Sequence, residues 1–370
     1  MIILCDVILR RVIPFVRRNS TVVGDNMPHL ILEKRGTSID LTNKGGLISI
    51  RMETKAKERE RGEENYLVNL NGKKVKLTHL DKLYWPDEKI SKGDLIYYYT
   101  TIFPFIEPYL RNRPQNLRRN PGGIRDEGFY HKDAGDEGPS WIKSVSIRSE
   151  STGKDVDYIV CNGQATLAYL NNLGCIELNP WNSTIKHLDQ PDYMVIDIDP
   201  SDDKSFHKVV DIALLIKDIM DHMEAPCYCK TSGATGMHVY IPLGARYTYD
   251  VIRPFAKAVA EEVSATFPDF ATTERSVDKR KGKIYVDYLQ NSRGQTLAAP
   301  YSVRPVPGAT VSTPLQWPEL KHKISPGDFT IFNVPDRLHK LGDLFEGVLK
   351  ERIDLERCLR KMKEGKEIGK

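Results

Sequence analysis

The chain has 370 residues, 40% hydrophobic and 28% charged, a globular composition long enough for two domains or one bilobed one. No apolar run approaches the ~20 residues of a membrane-spanning helix, and Asp6, Arg10 and Arg11 break up the apolar start MIILCDVILRRVIPFVRR, a poor signal peptide. Six cysteines do not make a disulfide framework, which points to a reducing compartment, the cytoplasm; a net charge of +4 does not by itself imply nucleic acid.

Residues 1–65 hold the weakest pattern: a helix or strand, a loop at Gly45-Gly46 and the charged run METKAKERERGEEN, read as a poorly ordered extension or a charged linker. From Tyr66 the pattern tightens. YLVNLNGKKVKLTHL alternates on either side of Asn71-Gly72, a strong hairpin signal. Ser91 N-caps a helix, SKGDLIYYYTTIFPFIEPYL, with Asp94 as an acidic capping-box partner. GQATLAYLNNLGCIEL is helical to Asn172 and stops at Gly174. YMVIDIDPSD (193–202) reads as a strand, followed by a helix over 205–224 with apolar residues at 209, 212, 213, 216, 219 and 220. APCYCKTSGATGMHVYIPL is strand, glycine-rich loop, strand; Cys227 and Cys229 are packing residues there. Residues 249–267 are helical, KIYVDYL is a strand, and ERIDLERCLRKMKEG is a polar closing helix. This order is α+β; strict βαβ alternation and a GxGxxG turn are both missing, which argues against a dinucleotide enzyme.

Two basic clusters stand out: Arg111, Arg113, Arg118, Arg119, Arg125 and Lys132, and the run KRKGK at 279–283. Each alone reads as a solvated face, while interleaved aromatics would make it a phosphate-binding surface.

The chemistry concentrates in four segments. On a strand, Asp197 and Asp199 share one face, ~7 Å apart, and Pro200 ends the strand beside them. Like charges so close raise each other's pKa unless a cation lies between them, so the pair suits a divalent metal; Asp199-Pro200-Ser201-Asp202 also reads as a turn and helix cap. KIYVDYLQN adds Asp287, a third carboxylate among core residues. Three hard oxygen donors from two strands are what a two-ion Mg²⁺ or Mn²⁺ site requires. Ser232–Gly236 is a small turn-forming loop whose amides can approach a phosphate, though it is no Walker loop. His238, beside it, can donate to an oxygen. Arg304, in the rigid YSVRPVPGATVSTPLQW, suits bidentate phosphate contact or a structural salt bridge. The combination fits nucleotidyl transfer better than glycoside hydrolysis, with a two-metal nuclease as the nearer competitor.

These segments, with VKLTHLDKLYWPDEKISKGDLIYYY and DFTIFNVPDRL, resemble in order and spacing the polymerase domain of bacterial ligase D, a member of the archaeo-eukaryotic primase superfamily that acts in non-homologous end joining. The resemblance covers residues 70–352. No KxDG adenylation motif or nuclease module is seen, which reads as the polymerase domain standing alone. It implies a primase-like catalytic core with an RRM-like sheet packed against an N-terminal α/β module. The domain would span 66–352, with a DNA-end-binding part at 66–180, a catalytic part at 181–335 and a polar tail at 353–370. It further implies template-directed addition of nucleotides, preferably ribonucleotides, to 3′ ends at gaps and breaks, with NTP or dNTP as substrate and Mn²⁺ or Mg²⁺ as cofactor.

By match of motif, Asp197, Asp199 and Asp287 would bind metal, and Ser232, His238 and Arg304 the triphosphate. Gln290 and Arg280 would lie near nucleotide and template, Lys82 and Lys92 would bind the 5′-phosphate, Arg118 is a further basic position, and Phe129 and Tyr130 would stack on the template. Thr235 and Asn179 stand where many relatives carry Lys and His, which puts one phosphate contact and one nucleotide donor in doubt. The expected partners are 5′-phosphorylated DNA ends, Ku and a separate ligase, near the nucleoid and away from membranes. The alternatives are a primase that starts chains de novo and a weakly active end-bridging module.

Overall fold

The computed structural model describes residues 30–34, 37–44, 47–54, 65–132, 138–149, 153–200 and 206–368. They fall in two compact units, Met1–His79 and Leu80–Lys370.

In the first unit, β1 (Leu30–Lys34), β2 (Thr37–Lys44), β3 (Leu47–Thr54), β4 (Asn65–Leu70) and β5 (Lys73–Thr78) form an antiparallel sheet in the order β3-β2-β1-β4-β5. The hairpin expected at Asn71-Gly72 is β4–β5, and both turn residues take positive φ, 53° and 81°. Sequence pattern alone assigns this hairpin to the larger domain, but β4 pairs with β1, so it groups with the strands before it and the break in the chain falls at 79/80. Part of the charged run, Met52 to Thr54, is the end of β3; residues 1–29 and 55–64 lie outside the described residues.

The second unit begins with β6 (Leu83–Trp85), β7 (Ile90–Ser91), α1 (Lys92–Thr101) and α2 (Phe103–Leu110). The capping box is in place: the Asp94 amide donates to Ser91 Oγ at 3.2 Å, and the Ser91 amide to Asp94 Oδ2 at 2.8 Å. The single expected helix is two, broken at Ile102, because Pro104 has no N–H for the helical ladder and sits instead in the first turn of α2. β8 (Gln115–Arg119), β9 (Phe129–His131), the hairpin β10 (Lys143–Arg148)–β11 (Asp155–Val160), α3 (Gln164–Asn172) and β12 (Cys175–Pro180) come next. One small sheet has the order β12-β8-β9. Gly174 ends α3 with φ of 88°, as expected.

The remaining elements are β13 (Tyr193–Asp199), α4 (Phe206–His222), β14 (Tyr228–Thr231), β15 (Met237–Pro242), α5 (Tyr249–Thr266), β16 (Ala271–Thr272), α6 (Val277–Arg280), β17 (Ile284–Asp287), β18 (Pro314–Leu315), α7 (Val334–Leu341), α8 (Glu346–Lys350) and α9 (Leu355–Ile368). Their sheet has the order β16-β17-β13-β15-β14-β18, antiparallel except for β16–β17.

Alternation along β13 decides what each face of this sheet does. Met194, Ile196 and Ile198 pack in one core with Val209, Ile212 and Ile216 of α4 and Phe255 and Val259 of α5. Tyr193 and Val195 face the other way, into a core shared with Tyr98 and Tyr99 of α1. Asp197 and Asp199 continue that second face past the end of its apolar packing. The second core also draws in Tyr301, Val303, Val311, Ile331 and Phe345, so the early and late parts of this unit share one interior.

Candidate active site

Register carries the aspartate face across the sheet. Asp197 lies opposite Asp287 on β17 and opposite His238 on β15, and His238 lies opposite Lys230 on β14. Residues directly opposite on antiparallel strands have Cα atoms ~4.5–5.5 Å apart and share a face. Four polar side chains therefore form one transverse row, Asp287–Asp197–His238–Lys230. Asp199 lies opposite Tyr285 one step further out. An open cavity of about 430 Å³ lies here, lined by Asp197, Asp199, Asp287, Arg280, Tyr285 and Gln290 among others.

The carboxylates differ in their surroundings. Asp287 is buried and fully engaged: Oδ1 accepts from Tyr285 Oη (3.0 Å) and the Leu289 amide (2.7 Å), Oδ2 from Gln290 Nε2 (2.9 Å). Asp199 is exposed and faces the Arg280 guanidinium at 3.4 Å, which itself stacks over Tyr285 at 4.1 Å. Asp197 is pushed up to about 8, first by burial and then by Asp199 and Asp287. Among the described residues no three His, Cys, Asp or Glu side chains stand arranged to hold a metal ion as they are. The triad is thus brought to one rim by register, with its oxygens turned to protein donors. Three hard oxygen donors repelling one another fit Mg²⁺ or Mn²⁺.

On the other side of Asp197 a buried hydrogen-bonded chain fixes His238. Lys230 Nζ contacts Ser312 Oγ, the Ala298 carbonyl (3.0 Å) and His238 Nδ1 (2.9 Å). Ser312 donates its own proton to the Thr231 carbonyl, so its oxygen accepts from Lys230. An ammonium has three N–H groups, and this site has three acceptors for them. Nδ1 is then an acceptor, and the ring proton sits on Nε2, 3.3 Å from Asp197 Oδ1. Burial and then the Arg304 charge push Lys230 well below its ordinary value, against Asp197 and Glu177, which favour the ammonium; burial, Lys230 and Arg304 together push His238 well below its own and keep the imidazole neutral.

The glycine-rich loop differs from the sequence expectation. Ser232 Oγ accepts the amides of Ala234 (3.1 Å) and Gly236 (3.0 Å), and the Ser232 amide donates to the Gly236 carbonyl (2.8 Å). Three of the five loop amides are thus spent within the loop; those of Gly233 and Thr235 have no partner among the described residues, and the Ser232 hydroxyl proton is a further donor. Thr235 is half-buried at the loop tip. Arg304 makes the salt bridge that was its alternative reading, Nε to Glu177 Oε2 at 2.8 Å, and Nη1 donates to the Ser232 carbonyl. Asn179 is buried on β12, and among the described residues its Nδ2 has no acceptor.

The other expected residues lie apart from this cavity's lining. Lys82 and Lys92 are joined through their backbones, Lys92 amide to Lys82 carbonyl at 2.8 Å. Lys92 is buried and lowered to about 8, by desolvation and then by Lys82. Phe129 and Tyr130 are 50% and 60% exposed, with Arg119 over the first ring and Arg118 over the second, 5.3 and 5.9 Å from the centroids. Arg113 leaves the basic cluster altogether: it is buried and paired with Asp192 at 2.5 Å. Sequence reasoning missed Lys230, Glu177 and Tyr285. A lysine inside the otherwise core-like CYCKT was the available signal for the first.

Residues 91–345 match the family model described as LigD, primase-polymerase domain. Among curated proteins, the chain is 36% identical over 270 residues to the bifunctional non-homologous end joining protein LigD of Bacillus subtilis, covering 73% of this chain and 43% of that one. It is 30% identical to the multifunctional LigD of Pseudomonas aeruginosa, covering 72% and 32%. The chain therefore spans less than half the length of these relatives. Among solved structures, the polymerase domain of Mycobacterium tuberculosis ligase D in complex with DNA superposes with a TM-score of 0.69 at 24% identity, covering 75% of this chain and 99% of that one. That likeness bears out the α+β fold. With the family model matching well over half its length, the chain belongs to the LigD primase-polymerase domains, nucleotidyltransferases of the primase-polymerase superfamily.

Proposed function

We propose that this chain is a template-directed repair polymerase that adds nucleotides, preferably ribonucleotides, to 3′ ends at gaps and double-strand breaks in non-homologous end joining. The observation that carries the reading is Asp197, Asp199 and Asp287 on the polar face of one helix-backed sheet, at a cavity shared with Arg280 and Gln290. The relatives' names support the end-joining setting, and the DNA held by the solved relative supports the substrate. In this reading Ku and a ligase are the partners that gather and seal the ends.

Asp197, Asp199 and Asp287 would hold Mn²⁺ or Mg²⁺, which would lower the pKa of the primer hydroxyl and offset phosphate charge. The reaction joins the primer 3′ oxygen to the α-phosphorus and releases pyrophosphate. Ser232 offers its hydroxyl proton to a phosphate oxygen, because its oxygen already accepts two amides. Arg304 retains N–H groups beyond the two engaged by Glu177 and Ser232. His238 faces the site as a neutral donor, and the Asn179 amide is the donor on offer to the nucleotide. Lys82 and Lys92 would take the 5′-phosphate, while Arg118, Phe129 and Tyr130 present a cation and exposed rings to bases, a grip that tolerates any sequence.

The test is extension of a 5′-phosphorylated gapped duplex by the parent protein and by Asp197→Ala, with rNTP or dNTP and Mn²⁺ or Mg²⁺. Extension by the parent alone is expected, faster with rNTP. Tight DNA binding without extension under any condition would overturn the polymerase reading in favour of the end-bridging module. Products made without a supplied primer would make it a primase.

A further inference from the structure

Arg304 is held on three sides before any substrate arrives. Glu177 Oε2 takes its Nε at 2.8 Å, the Ser232 carbonyl takes Nη1, and the stem packs so closely on the phosphate loop that a Cβ at Gly233 would stand 2.8 Å from Arg304 Cγ. The Glu177 side chain is 5% exposed and that of Arg304 18%. They lie 127 residues apart in sequence. Arg304 lies in a loop, while Glu177 belongs to the sheet whose β8 and β9 carry Arg118 and Tyr130, and it lies opposite Arg118 there.

This geometry has a chemical consequence. A guanidinium has two faces suited to a bidentate oxyanion, one that includes Nε and one formed by the two terminal nitrogens. Glu177 occupies the Nε side. Nη1 gives one N–H to the Ser232 carbonyl, so a phosphate is left the second N–H of Nη1 and those of Nη2, in an orientation set by a carboxylate that is itself anchored in a strand. A flexible arginine would lose rotamer freedom on binding; this one is ordered in advance.

We infer that Glu177 is a positioning residue for triphosphate binding, acting through Arg304 by holding its Nε so that the terminal N–H groups face the phosphate site. The inference rests on the polymerase reading above.

The test compares the parent with E177Q, E177A, R304A and E177A/R304A in steady-state extension of the gapped duplex over a range of nucleotide concentration. Isothermal titration of ATP into each whole chain, anisotropy of labelled duplex and thermal unfolding accompany it. E177Q keeps the size and an acceptor but loses the charge, and is expected to raise KM for nucleotide about fivefold. E177A is expected to raise it about thirtyfold. In both, kcat stays within threefold of the parent and duplex affinity is unchanged. The double variant is expected to match R304A, because Glu177 has nothing left to position.

An unchanged KM and ATP affinity in E177Q, in a parent that extends primers, would overturn the positioning role alone. So would effects of E177A and R304A that multiply in the double variant, or a loss confined to kcat and thermal stability. If E177A does not fold, E177Q decides by the same KM criterion. A parent that neither extends primers nor binds ATP overturns the polymerase reading and this inference with it.

Discussion

Replacing Gly236 by alanine places a methyl group where the backbone of the aspartate strand already stands. An ideal Cβ there lies 2.1 Å from the Ile198 carbonyl oxygen and 3.2 Å from Pro200 Cδ. Such a contact needs roughly 3.2 Å, so about 1 Å of separation has to be found. The φ of Gly236 is not positive, so the cost is steric and not conformational. Ile198 sits between Asp197 and Asp199, and the Gly236 amide and carbonyl both close the loop around Ser232. Relief therefore displaces either the carboxylates or the glycine-rich loop. A misplacement of ~1 Å costs about 100-fold in rate, or about 2.7 kcal/mol at 1.36 per factor of ten. Overpacking of this kind destabilises by about 1–3 kcal/mol. Single-nucleotide extension kinetics and urea unfolding measure the two effects, with Gly163→Ala as control, since nothing lies within 4 Å of a Cβ there. G236A with kcat/KM within threefold of the parent and unaltered unfolding would refute the reasoning.

Lys230→Met should strip three buried acceptors of their donor and destabilise the protein by about 2–4 kcal/mol. A loss under 1 kcal/mol in urea unfolding, or unchanged ¹⁵N shifts of His238, would contradict the assigned hydrogen bonding. Because Asp197 is raised to about 8, divalent ion binding should displace a proton at neutral pH. Apparent Mn²⁺ affinity should therefore rise by up to about tenfold per pH unit below 8 and level off above it. A flat profile from pH 6 to 9 in an electron paramagnetic resonance titration would count against this. The same raised value means that the metal-free native state binds the proton more tightly than the unfolded chain, so this group's stabilising effect is full below about pH 4 and fades as pH climbs through 8. Tyr130→Ala should weaken duplex binding by about 1–3 kcal/mol through lost stacking while leaving ATP affinity intact. Anisotropy beside calorimetry separates the two.

What was legible in the sequence was local. Asn71-Gly72, the Ser91–Asp94 capping box and the stop at Gly174 each involve residues within a few positions, and each forms as written. The alternation in YMVIDID placed Asp197 and Asp199 on one face because strand geometry leaves no other choice. The Pro104 break was written there too, but apolar residues on both sides disguised it as one helix. Nothing near Arg304 in the chain names Glu177 as its partner, since that pairing exists only once the loop carrying Arg304 meets β12. The glycine-rich loop shows a different limit. Its small residues announced a tight turn, but which acceptor uses its amides depends on the Ser232 rotamer, and that hydroxyl turns back on the loop.

The interior shared by early and late segments governs how this protein is made. Tyr98 Oη donates to the Tyr301 carbonyl, and Tyr99 Oη contacts Ser302, partners 203 residues further along the chain. At ~5–20 residues per second, a ribosome needs roughly 10–40 s to reach the second half of those contacts. Throughout that interval the aromatic side of α1, though it can already meet α3 and β12, waits without the part of its cover that residues 301–303 supply. Rare codons between the two segments would lengthen that wait, and co-expressed holdase chaperones would shelter the nascent chain during it. Cutting the gene between the two segments would yield halves that must find each other before either has a sealed interior.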